Sequence, residues 1–158
     1  MNMVYRTMIA TATLVGMVLS TAAQAHTDEY LDSVGGKHGG QLRMAGPWHF
    51  ELVLDKTADG QKPAPVTVYL TDHGDNAIAT TGASSKITII SNNKPVQVQL
   101  TEKAPNMLVG EAVYKAQPEL KAVVQLTLKG ESQNARFTPF AKPATEQPKQ
   151  DEGHHHHH

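Results

Sequence analysis

Cysteine is absent from the 158 residues. That excludes disulfides, thiolate zinc sites, iron–sulfur clusters and cysteine nucleophiles. Aromatic residues make up only 5% and include a single tryptophan, Trp48, so there is little from which to build a stacking face for a substrate. Neither sign of charge is in excess: 14 basic against 15 acidic residues leave a net charge of -1. No electrostatic case for nucleic acid or for an anionic membrane surface follows. Apolar runs are short, and none is long enough to span a bilayer. A glycine-rich phosphate loop, a metalloprotease-type HExxH helix and a nucleophile elbow around Ser84-Ser85 are all lacking. The chain reads as a binding protein and not as an enzyme.

What is present begins with a targeting signal. Arg6 supplies a positive start, Met8 to Leu19 an apolar stretch, and Ala23-Gln24-Ala25 a small-residue cleavage site. Residues 1–25 are therefore expected to be a cleaved secretory signal. The mature protein is expected in a bacterial periplasm, with no membrane insertion after cleavage. His26 then becomes the first residue, and a free α-amino group with Nδ1 of the same residue can chelate copper(II).

Residues 26–45 show no sustained period, apart from room for one helical turn near Asp28 to Val34. The pairs Gly35-Gly36 and Gly39-Gly40 favour a flexible lead that is ordered only on binding. From residue 46 to 140 the pattern is one of alternation. Trp48, Phe50, Leu52 and Leu54 share one face of a strand, and His49, Glu51 and Val53 the other. Asp55 to Pro65 reads as a loop because of its prolines. Val66 to Thr71, Lys86 to Ile90, Val96 to Leu100, Leu108 to Tyr114, Ala122 to Leu128 and Asn134 to Phe140 read as strands, with Ala122 to Leu128 central. Such a series of about seven to eight short strands, with turns every 8–12 residues or so, predicts an all-β antiparallel sandwich, immunoglobulin-like in broad architecture, with an open barrel as the alternative and edge strands formed from the proline-containing segments. The expected interior comprises Trp48, Phe50, Leu52, Val68, Leu70, Ile89, Val98, Leu100, Val124, Leu126 and Leu128, with Met107 as further core. Residues 141–158 are expected to be a disordered tail, ending in five histidines that are either native or an added tag.

Outside that run the histidines are His26, His38, His49 and His73, all in the first half of the mature chain. A hairpin between the first two strands places His73 near His49. With Glu51 beside His49 on one strand face, the set His26, His38, His49, Glu51 and His73 offers imidazole and carboxylate ligands. These suit copper(II), or alternatively zinc or nickel. Met44 is the one nearby thioether. Asp72 and Asp75 are expected to stabilise a turn. His49, fixed by the sheet, is expected to be the anchored ligand, exposed enough that removing it leaves the metal-free fold unchanged.

The run His38-Gly39-Gly40 followed by Trp48-His49-Phe50-Glu51-Leu52-Val53 resembles small exported metal-binding proteins of bacterial heavy-metal resistance and efflux loci. Val68-Tyr69-Leu70-Thr71-Asp72-His73 and Ala135-Arg136-Phe137 fit the same pattern, so that the resemblance runs from His38 to Phe140. It implies a periplasmic β-sandwich that binds or buffers copper or a related ion beside an efflux or delivery protein. His26 as a mature terminus is similar to the copper-resistance sandwich proteins whose amino terminus ligates copper(II). The alternative is a non-metal module that presents a sheet edge to a partner.

Overall fold

A computed structural model describes residues 27–142. The expected signal segment, His26 and the chain from 143 onward lie outside the described residues. The elements are α1 (Asp28–Val34), β1 (Gln41–Ala45), β2 (Trp48–Leu54), β3 (Asp59–Asp72), β4 (Ser84–Ser91), β5 (Lys94–Ala104), β6 (Met107–Lys115), β7 (Lys121–Leu128) and β8 (Glu131–Phe137). The strands form one antiparallel eight-stranded sheet in the order β1-β2-β3-β6-β5-β4-β7-β8. Its two ends meet, since β1 lies against β8. Just beyond β8, the Thr138 N–H donates to the Gln41 side-chain oxygen at 2.7 Å. The result is all-β and nearly barrel-shaped. Among the described residues no helix is long and apolar enough to cross a membrane.

Alternation builds the interior. Phe50, Leu52 and Leu54 pair with Leu70, Val68 and Val66 across β2 and β3. All six are buried with Ile89, Leu100, Val124, Leu126 and Leu128. Trp48 and Val98, expected inside, are only half-buried against this core: Trp48 is the first residue of β2, and Val98 lies on the stretch of β5 that pairs with β4 but not with β6. Met107 is also half-buried. It is the register partner of Tyr69, and the alternation gives the interior to Leu108 instead.

Three boundaries depart from the sequence reading. The stretch expected as a lead contains β1 as well as α1, which stands at the helical turn expected near Asp28 to Val34, so the folded unit starts upstream of residue 46. The expected proline loop is the first half of β3. Pro63 and Pro65 pair there with Val113 and Glu111 of β6. On the other side β2 has already ended at Leu54 opposite Val66, so this half of β3 has an edge where missing N–H groups are tolerated. The phenol of Tyr114 joins the region, donating to the Pro65 carbonyl and accepting the Asp55 N–H, both at 2.8 Å. Burial pushes the Tyr114 phenol above its ordinary value. Finally, β7 is not central. It lies between β4 and β8, one place from the end of the order.

Candidate functional site

His49 and Glu51 project from β2 on the side away from Phe50 and Leu52, and both are nonetheless buried. Two segments cover this outer face: α1, whose Tyr30, Leu31 and Val34 stand around the same cleft, and the glycine loop that follows it, which lies on Glu51. The N-cap of α1 is Thr27, whose hydroxyl accepts the Tyr30 N–H at 3.3 Å. Asp28 and Glu29 in the first turn suit the positive end of the helix dipole. Gly35 ends the helix at φ +64, its N–H donating to the Leu31 carbonyl. Leu31 is 1% exposed, yet it stands outside the main core cluster, so a second small apolar layer lies beneath the helix. The buried Arg43 of β1 ties it down by two hydrogen bonds to Asp32 and a 3.6 Å ion pair with Asp28. The Arg43 hydrogen bond, with Gln41 adding, holds the Asp32 carboxyl below the ordinary range against the opposing effect of burial.

After Gly35 the chain turns tightly. Gly36 N–H donates to the Gly40 carbonyl and Gly39 N–H to the Gly36 carbonyl, both at 3.1 Å. This loop lands on Glu51. One carboxylate oxygen, Oε1, accepts the backbone N–H of His38 at 2.7 Å and of Gly40 at 3.0 Å. The other, Oε2, lies 2.8 Å from His38 Nδ1. A Cβ on Gly36 would overlap the Glu51 carboxylate, which is why glycine stands there. The His38 ring also stacks on Tyr69, centroids 3.6 Å apart and planes within 8°. His38 is thus held at backbone and ring in the metal-free protein. The expectation that binding must first order it is corrected.

At the far end of β3, Asp72 builds the turn carrying His73. Its Oδ1 accepts the N–H of Gly74 at 2.8 Å and of Asn76 at 2.9 Å. The Asn76 side-chain amide, before these backbone bonds, keeps the Asp72 carboxyl below its usual range. Asp75 takes a left-handed φ of 61. Its carbonyl accepts from Lys37 Nζ at 3.2 Å, linking this turn to the glycine loop. The Asp72 carboxylate therefore holds backbone, as expected, whereas the Asp75 carboxylate lies 3.8 Å from Lys37 Nζ. The β2–β3 ladder pairs His49 with Thr71, and this brings the His49 and His73 rings into a stack, 4.9 Å between centroids and 20° between planes.

These segments enclose a cleft of about 370 Å³ whose walls include Leu31, Val34, His38, His49, Glu51 and His73. Met44 is the register partner of His49 on β1 and so shares its face. Among the described residues, no group of three or more His, Asp or Glu side chains is arranged to hold a metal ion. His26 lies outside the described residues.

No family model matches the chain, and no curated protein sequence matches it.

What the arrangement offers chemically is a cleft with three imidazoles, two carboxylates (Glu51, already occupied by N–H donors, and Asp75), and a partly apolar wall. The sequence reading missed Tyr69, Arg43 and the cover of α1. Tyr69 was within reach: it alternates with Val68 and Leu70, and antiparallel pairing sets it opposite Glu51.

Proposed function

We propose that this is an exported, periplasmic protein that binds a divalent transition metal. Copper(II) is favoured over zinc or nickel, and the protein buffers the ion or hands it to an efflux system. The observation that supports this most is that three separate segments bring His38, His49 and His73 to one cleft, in a chain with no cysteine. Nitrogen donors without thiolate suit copper(II) in a tetragonal set and zinc in a tetrahedral one. Near-parallel stacked rings direct their lone pairs side by side and not at a shared point. Loading an ion therefore requires His49 or His73 to turn about its side-chain bonds, and the exposed His73 is the freer to do so. His26 directly precedes the N-cap of α1 and, once freed by signal cleavage, adds an amine and an imidazole to the available ligands.

The strand arrangement accords with a sandwich of immunoglobulin-like breadth. β5 pairs with β4 through Leu100 and with β6 from Thr101 onward. It thereby acts as a corner between a layer of β1, β2, β3 and β6 and a layer of β4, β7 and β8. The rival role, presenting a sheet edge to a partner, has less support, because β1 and β8 lie against each other and the edge along the first half of β3 carries Pro63 and Pro65, which have no N–H to offer an added strand.

The test is competition titration against a chromophoric chelator, using the chain with His154 to His158 replaced by serine. Stoichiometric copper(II) binding that weakens in both His49→Ala and His73→Ala is expected. Binding that disappears with the five terminal histidines alone overturns the reading.

A further inference from the structure

We propose that Glu51 is a positioning residue and not a metal ligand: it fixes the tautomer of His38 so that His38 offers Nε2 alone to a metal in the cleft. The metal half of this inference rests on the function proposed above; the tautomer half does not.

The argument starts from donor and acceptor counts. An ionised carboxylate has only acceptors. Glu51 Oε2 sits 2.8 Å from His38 Nδ1, so the hydrogen between them belongs to Nδ1. A neutral imidazole carries one N–H, which leaves the ring's lone pair on Nε2. Oε1 is engaged by the His38 and Gly40 backbone N–H groups. Three of the roughly four acceptor sites of this carboxylate, whose side chain is only 6% exposed, are therefore taken by one loop. Moving either oxygen onto an ion would release that loop. The stack on Tyr69 opposes rotation of the ring, while 42% of the His38 side chain remains exposed, so the Nε2 side stays reachable. A carboxylate behind the proximal nitrogen of an imidazole also makes the distal nitrogen a better donor. Glu51 and His38 thus form a prepared single-nitrogen donor on the wall of the cleft that also holds His49 and His73.

Glu51→Gln discriminates. Its amide oxygen can accept the two backbone N–H groups as Oε1 does, but its NH₂ faces His38 Nδ1 as a donor. The ring must then accept at Nδ1 and carry its proton on Nε2, so the tautomer inverts with the loop retained. Long-range proton–nitrogen NMR of the metal-free full chain, with residues 154–158 changed to serine, is expected to show Nδ1–H at His38 in the parent and Nε2–H in Glu51→Gln. Copper(II) affinity, measured against a chelator, is expected to fall about 10–100-fold in Glu51→Gln. His38→Ala should match that loss, and the double substitution should add nothing further. An Nε2–H ring in the parent overturns the positioning role without touching metal binding. Unchanged copper affinity in His38→Ala overturns the ligand role while leaving His49 and His73 in place. This outcome stands even if Glu51→Gln disrupts the loop. A parent that binds no copper at all overturns the proposed function together with the ligand role, and the tautomer readout still decides what Glu51 does.

Discussion

Arg43 grips Asp32 at two points, Nη1 to Oδ1 at 2.7 Å and Nη2 to Oδ2 at 3.1 Å. Since Arg43 belongs to β1 and Asp32 to α1, this pair fastens the helix to the sheet whose outer face it covers. The Asp32 carboxyl lies below its ordinary value of 3.8, so the folded protein binds this proton less readily than the unfolded chain. The resulting stabilisation is whole above the unfolded value and fades as pH falls through the folded one. With Asp32 about half exposed, the pair is worth roughly 0.5–1 kcal/mol. Amide exchange at Leu31 and Gly35, corrected for intrinsic rate, is expected to speed up below about pH 4 while that of Val124 holds. Asp32→Asn should remove the difference; equal protection of α1 in acid and at neutrality would contradict it.

Burial of His49 changes what its removal does. The residue is 4% exposed beneath α1, so His49→Ala leaves a cavity instead of a bare patch of strand. The metal-free protein is expected to lose about 1–3 kcal/mol, against under about 0.5 kcal/mol for the exposed His73→Ala. Urea denaturation in chelator-treated buffer measures both. Equal midpoints for the two variants would show that α1 does not seal this face.

Two neighbouring glycines are expected to fail differently. Gly36→Ala places a Cβ on the buried Glu51 carboxylate, which must move or lift the loop, at a cost of about 1–3 kcal/mol. It should also abolish the His38–Glu51 contact. Gly35→Ala meets open space but a φ of +64, a strain of about 1 kcal/mol. His38 imidazole shifts should change strongly in the first variant and little in the second. The reverse ranking would refute the role given to Gly36.

Tyr114→Phe removes one donated and one accepted hydrogen bond while keeping the ring. Each leaves a backbone group without its partner, the Pro65 carbonyl of β3 and the Asp55 N–H just past β2, and the expected loss is about 1–3 kcal/mol by thermal or urea melting. A neutral effect would mean that water replaces the phenol freely.

Much of this was legible in the chain. The alternation from Trp48 to Leu54 set the inward and outward faces of β2 correctly, and turn chemistry at Asp72 to Asn76 located His73 at the rim near His49. The cover was not legible. Tyr30, Leu31 and Val34 fit one face of the turn expected near Asp28 to Val34, but seven residues are too few to show which face of the sheet they cover. Nor does alternation reveal that a loop returns onto Glu51; the closely spaced glycines around His38 were the available sign of a close approach. The prolines of β3 misled because their restriction applies to a strand flanked on both sides, and here β2 stops short of them.

Every residue lining the cleft falls between Tyr30 and Asp75, although the sheet that supports it runs on to Phe137. Chemistry and scaffold are thus divided along the chain. Strands β4, β5, β7 and β8 contribute no residue to the lining, so their surface positions can be changed without altering the wall of the cleft directly. The cleft, by contrast, could be rewritten through substitutions confined to one contiguous block of the chain, from Tyr30 to Asp75.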